Sequence, residues 1–274
     1  MDKLNVDIRN GVAFASINNP PLNVLDASLM ASLAQFVAAM QEDKTVQVIV
    51  FQSADPDYFI AHGDMNYVVN PASFAELATP EMLQAPINPM QQLHEQIRQL
   101  PQATIAIIDG YVRGGGLELA LACDMRFASL EKARLALPEA SMGIIPGGGG
   151  TQYLPRLIGR ARALEIILGG ELQDGNRAEK YGIVNRALPQ AELYNYVNTL
   201  ATRIAKLPAD VATAAVKAVN AAHGDIYEGL TIENQQCMSL FTRPETIAKT
   251  IAALEAGAQT REGEKDLEGI IYKL

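Results

Sequence analysis

Apolar positions follow two different periods along this chain. Val12–Ile17 (VAFASI) and residues 46–51 (VQVIVF) are short β-rich runs that predict strands. The first follows an Asn10-Gly11 turn and stops at Asn18-Asn19-Pro20-Pro21. Between the two runs, Leu29, Met30, Leu33, Phe36, Val37 and Met40 share one helical face, with Asp26 as a natural N-cap. Strand, helix and strand at this spacing predict a right-handed crossover and a parallel sheet. Ile105, Ile107 and Ile108 form another β-branched run, suited to a strand with apolar surface on both faces. Gly114, Gly115 and Gly116 follow as a turn, and residues 118–123 (ELALAC) are competent to form a helix.

Further along, residues 125–128 and 135–137 predict short strands. Helices are expected around Tyr153, Leu154, Leu157 and Ile158 and over residues 161–168. Residues 66–101 carry prolines at 71, 80, 86, 89 and 101, which predicts an irregular helical cover with a helical piece over 90–100. After Pro189 the strand period disappears. Leu193, Tyr196, Val197, Leu200 and Ile204 keep helical spacing, Pro208 is suited to open a helix, and 226–241 and 244–256 read as helices. The chain thus divides into an α/β body over 1–195 and a helical region over 196–274, with a polar, loose stretch at 257–265.

Of 274 residues, 49% are hydrophobic, enough for a large core. The net charge of −9 argues against a nonspecific nucleic-acid partner. Cys123 and Cys237 are too few for a disulfide framework and lack metal-ligand spacing, so no metal is expected. The first residues lack a secretory apolar segment, and no apolar run reaches the roughly 20 residues of a membrane span. The expectation is a cytoplasmic protein without a membrane partner.

Three stretches can carry chemistry. In the first, the glycine turn delivers the chain to a helix start, where free N–H groups and the helix dipole favour negative charge, and Glu118 stands beside it. In the second, Glu139 lies in a Leu-Pro-Glu connection among apolar residues, where burial would raise its proton affinity. In the third, Phe59-Ile60-Ala61-His62-Gly63-Asp64-Met65 offers a glycine amide for close approach and Asp64 as a cap. His62, His94 and His223 have no ligand-spaced partners. The glycine runs at 114–116 and 147–150 fit neither Gly-x-Gly-x-x-Gly, which would need glycine where Leu119 and Gln152 stand, nor a P-loop, which needs a lysine after the turn.

In this order the three stretches resemble the enoyl-CoA hydratase/isomerase (crotonase) family, over roughly residues 4–255. Residues 59–65 match the family's Phe-Ala-Ala-Gly-Ala-Asp-Ile pattern position by position, and residues 114–118 match its Gly-Gly-Gly-x-Glu. Asn23-Val24-Leu25 is similar to the Asn-Ala-Leu segment along its CoA path. The resemblance implies a crotonase-like spiral of ββα units with a C-terminal all-helical oligomerisation region. It implies an acyl-CoA thioester substrate, coenzyme A being part of the substrate and no separate cofactor being needed, and a homotrimer or hexamer. By the same match the oxyanion donors fall on Gly63 and Gly115, the adenine contact on Ala61, and the two hydratase carboxyls on Glu118 and Glu139. Asp64 is expected to line the substrate site. His62 in place of a glycine, Arg113 in place of an apolar residue, the proline-broken 66–101 segment and the absence of a basic C-terminal ending depart from the pattern. Two carboxyls favour hydration of a 2-enoyl-CoA. A double-bond isomerase, a hydratase or lyase on an unusual acyl-CoA, and a noncatalytic acyl-CoA-binding protein are the alternatives.

Overall fold

The computed structural model describes residues 2–70, 72, 84–208 and 210–274. It divides into two compact units, Met1–Lys206 and Leu207–Leu274. In the first unit, β1 (Leu4–Arg9) and β2 (Val12–Ile17) form an antiparallel hairpin. Asn10 and Gly11 at its turn have φ of 52° and 75°, the paired positive values that a two-residue hairpin turn requires. Helix α1 (Ala27–Glu42) starts at Asp26, whose Oδ1 accepts the Leu29 N–H at 2.9 Å. It leads to β3 (Val48–Ser53), which lies parallel to β2 as the crossover reading expects.

The chain continues through β4 (Tyr58–Ile60), α2 (Asn66–Val69), α3 (Pro89–Arg98), β5 (Ala103–Ile108), β6 (Tyr111–Arg113) and α4 (Gly115–Ala122). Then come β7 (Met125–Ser129), β8 (Arg134–Ala136), a 3-10 turn at Glu139–Met142, α5 (Gly150–Ile158) and α6 (Arg160–Gly169). Finally β9 (Gln173–Asp174), α7 (Gly175–Tyr181), β10 (Arg186–Leu188) and α8 (Gln190–Ala205) complete the unit. Within the irregular cover expected over 66–101, α2 and α3 are described, whereas residues 71 and 73–83 lie outside the described residues.

Among the described residues the strands form a six-stranded sheet, β1-β2-β3-β5-β7-β10, and a four-stranded sheet, β4-β6-β8-β9. From β3 to β8, successive strands alternate between the two, so β3–β4, β5–β6 and β7–β8 are successive coils of one spiral. The β5–β6 corner is tight. A side chain on Gly110 would collide with the Asp57 carbonyl, so backbone passes backbone there.

The central strands of the larger sheet are buried on both faces. Ile49, Phe51, Ala106 and Ile108 face a core shared with Leu33, Phe36, Leu119 and Leu154. Val48, Val50, Ile105 and Ile107 face Leu193, Val197 and Ala201 of α8. That packing corrects the expected organisation. The expected boundary at 196 cuts through α8, yet the helix's apolar stripe covers the sheet, and the compact units divide after Lys206.

The second unit holds α9 (Val211–Ala221), α10 (Ile226–Phe241), α11 (Pro244–Glu255) and α12 (Leu267–Ile271). Asp225 caps α10 by accepting the N–H groups of Tyr227 and Glu228. Pro208 does not open a helix. The helix after it starts at Val211, behind Asp210 at φ 65°.

Candidate active site

The three chemical stretches sit at one edge because β4, β6 and β8 are parallel neighbours in the smaller sheet. Parallel strands end on the same side, and adjacent ones lie about 5 Å apart. Strand β4 runs into Ala61-His62-Gly63, β6 into Gly114-Gly115, and β8 into Leu137-Pro138-Glu139. The Gly114 N–H still bonds the Ala136 carbonyl at 3.0 Å, which holds the last two connections together.

The orientation of the Gly63 amide follows from its neighbours. The His62 carbonyl accepts the Leu25 N–H at 2.9 Å, and the Asp64 N–H reaches the Leu25 carbonyl at 3.2 Å. In a trans peptide the C=O and the following N–H point in opposite directions. The Gly63 N–H therefore points away from Leu25, and it has no acceptor among the described residues. Gly115 is the first residue of α4, so its N–H is one of the four that a helix leaves unpaired, and it too has no acceptor among the described residues. Gly114 before it sits at φ 49°, ψ −127°, a conformation that side-chain-bearing residues avoid. A side chain on Gly63 or Gly115 would touch the same Met90 methyl group, at 3.6 and 3.4 Å.

Glu118, in the first turn of α4, is 1% exposed. Its Oε1 accepts two backbone N–H groups, from Gly148 at 2.7 Å and from Gly150 at 2.8 Å. Burial raises its pKa to about 7, with repulsion from Glu139 adding to the rise and the two amides opposing it. Burial also lifts the Glu139 carboxyl above the usual range. Its Oε2 is buried without a partner among the described residues.

Gly63, Asp64, Gly115, Glu118 and Glu139 line one cavity of about 260 Å³, together with His62 and Arg113. Met65, Met90, Met142, Ile144 and Ile145 supply apolar wall. Ala61 is buried and outside that lining. The Arg113 guanidinium stacks over the Tyr111 ring at 4.2 Å, and His62 Nδ1 lies 2.8 Å from the Gly63 carbonyl oxygen. His223 belongs to the second unit, after α9.

Sequence reasoning missed the grip on Glu118. The glycines at 147–150 fit no nucleotide-binding pattern, but two of their amides hold its carboxyl. Helix α3 holds that turn in place. Asn88 at its N-cap donates to the Gly147 carbonyl at 2.8 Å, and His94 Nδ1 lies 2.7 Å from the Gly148 carbonyl oxygen. Tyr153 of α5 donates to Glu95 of α3 at 2.6 Å. The available signal was the placement of His94 on the buried face of α3 with Met90, Leu93 and Ile97.

The sequence profile of the enoyl-CoA hydratase/isomerase family matches residues 7–259. This chain belongs to the enoyl-CoA hydratase/isomerase family. Of solved structures, a Streptomyces avermitilis protein that carries a provisional enoyl-CoA hydratase name is 43% identical, with a TM-score of 0.75 over 99% of this chain and 97% of that one. An enoyl-CoA hydratase from Bacillus anthracis is 30% identical, with a TM-score of 0.80 over 93% and 95%. DspI from Pseudomonas aeruginosa is also 30% identical, with a TM-score of 0.84 over 93% and 95%. The fatty acid oxidation complex subunit alpha of Aliivibrio fischeri is 40% identical over 179 residues, 65% of this chain and 25% of that protein. That of Vibrio parahaemolyticus is 36% identical over 193 residues, 69% of this chain and 26% of that protein. The chain thus spans about a quarter of the length of these curated relatives. The spiral of ββα coils is the crotonase fold that the resemblance implied. Among the described residues no helix is long and apolar enough to cross a membrane.

Proposed function

We propose that the protein catalyses the reversible syn addition of water to a 2-enoyl-CoA thioester. The thioester carbonyl oxygen accepts hydrogen bonds from the N–H groups of Gly63 and Gly115. One carboxyl of the Glu118–Glu139 pair takes a proton from water as its oxygen attacks the β-carbon. The π electrons move to the carbonyl oxygen, giving an enolate held by the two amides. Collapse of the enolate takes a proton onto the α-carbon from the other carboxyl, and the pair ends with the same number of protons. Each backbone donor of this kind contributes about 10²–10³ in rate. The two carboxyls titrate together, so acid and base are assigned to the pair.

The observation that carries this reading is a buried and a half-buried carboxyl, both of raised proton affinity, lining one cavity with two unpaired amides. A carboxyl that keeps its proton near neutral pH is what the donating step needs. The apolar wall suits an acyl chain. Oxidation of fatty acyl-CoA is a metabolic setting in keeping with the name of the curated relatives. Assembly into a trimer or hexamer belongs to the same reading, supported by exposed Leu230, Phe241, Ile247 and Leu254 on α10 and α11. Sedimentation of the purified protein as a monomer would remove that element.

The test is a panel of enoyl-CoAs followed by the absorbance of the conjugated thioester. Hydration lowers the absorbance, and Glu118→Gln and Glu139→Gln each slow it by orders of magnitude while thioester affinity stays near that of the wild type. Full activity in either variant overturns the two-carboxyl mechanism. Rising absorbance with a 3-enoyl-CoA points to the isomerase instead, and saturable binding without turnover points to a noncatalytic binder.

A further inference from the structure

We propose that His94 is a positioning residue for Glu118, acting through the carbonyl of Gly148. The inference rests on the reading of Glu118 as a reacting carboxyl. The two amides that grip Glu118 Oε1 belong to Gly148 and Gly150. These N–H groups belong to the 147–148 and 149–150 peptides, and the peptide that joins them, 148–149, presents the Gly148 carbonyl to His94 Nδ1 at 2.7 Å. Gly148 thus has both its N–H and its C=O engaged, one by the carboxyl and the other by the imidazole. Residues 147–150 are all glycine, so no Cβ restrains the turn, and an unheld peptide there rotates at little steric cost. Rotation of the 148–149 peptide would change the torsions at Gly148 and Gly149 on either side of it, and so shift the two flanking peptides whose N–H groups grip the carboxyl.

His94 is suited to the task because it is wholly buried and stays neutral. Burial lowers its pKa to about 4, and its Nε2 has no partner among the described residues. A neutral ring with Nδ1 facing a carbonyl carries its proton on Nδ1, since the carbonyl can only accept. Asn88 on the Gly147 carbonyl fixes the turn from the same helix. Other groups also bear on Glu118. Glu139 raises its proton affinity, and Tyr153 faces it from α5 with Glu95 behind on α3. His62, Asp64 and Arg113 stand around the cavity wall.

The test reads the Glu118 carboxyl directly, without turnover, by ¹³C NMR of glutamate-labelled protein, with its signal assigned by its absence in Glu118→Gln. In His94→Leu the Glu118 titration moves up by about one pH unit, the size expected when one hydrogen bond to the charged form is lost. In His94→Asn the amide nitrogen takes the place of Nδ1, and the titration returns toward wild type. With crotonyl-CoA, His94→Leu lowers kcat at least tenfold and leaves KM within about twofold. A titration unchanged in His94→Leu, or shifted equally in both variants, overturns the proposal. Should the variants fail to fold, ¹⁵N NMR of the wild-type ring decides: Nδ1 protonated and Nε2 bare from pH 5 to 8 supports it, and the opposite tautomer or a charged ring overturns it. A titration shift in a protein that turns over no enoyl-CoA leaves the positioning role standing and sinks the hydratase reading.

Discussion

Glu118 is held where its ionised form is disfavoured, so its chemistry costs stability, and the cost is measurable. The carboxyl titrates at 4.5 unperturbed and at about 7 in the folded chain. Below pH 4.5 it is protonated in both states and the folded protein loses nothing. Between 4.5 and 7 the unfolded chain ionises while the folded one does not, so folding stability falls as pH rises, then levels off. At about 1.4 kcal/mol per pH unit, the full loss is about 3 kcal/mol, of which about 2.5 kcal/mol falls between pH 5 and pH 8. Glu118→Gln removes this titration, and its amide oxygen can still accept the Gly148 and Gly150 N–H groups. The variant should match wild type near pH 4.5 and be more stable by about 3 kcal/mol at pH 8, while losing hydration activity. Urea unfolding of both proteins at pH 5 and pH 8, at equal protein concentration, measures the difference as a midpoint shift on the order of 1 M. Parallel pH dependence in the two proteins would refute the claim that Glu118 is buried against its charge.

The role proposed for the Gly63 amide can be tested apart from the space a side chain there would need. Gly63→Ala meets only the Met90 methyl group at 3.6 Å, an ordinary contact, and should keep activity within a few-fold of wild type. Gly63→Pro removes the N–H and should lower kcat by about 10²–10³, measured by initial rates with crotonyl-CoA. Gly116→Ala is a packing test. Its Cβ would come within 2.6 Å of the Ile60 side chain and 2.8 Å of the Ile60 carbonyl, forcing α4 away from β4. Thermal melting should report a loss of about 1–3 kcal/mol, and an unchanged or raised Tm would contradict that geometry.

The sequence revealed elements where burial imposes a period and hid them where it does not. Strand β2 carries a continuous apolar run because both its faces are covered, and its expected bounds coincide with those observed. Strand β1 pairs with it residue for residue, yet only Leu4 is buried, so no alternation marks it. Strand β4, with three residues, is too short to show a period. Helix α8 had the right pattern and the wrong assignment, because a helical stripe does not say whether it covers a sheet or another helix. At the site, the residues that border β4, β6 and β8 were visible as motifs. The hold on Glu118 was not, because it uses backbone amides and a histidine 54 residues from the carbonyl it meets.

The spiral has a consequence for how this protein fails. Gly63, Gly115 and Glu139 come from different coils and meet only when β4, β6 and β8 are paired. No single coil holds all the groups proposed to react, so a partly folded intermediate in which these strands are unpaired should retain none of the activity rather than a share of it. Inactivation is therefore a reporter of cooperative opening of the small sheet, to be compared with hydrogen exchange at β6.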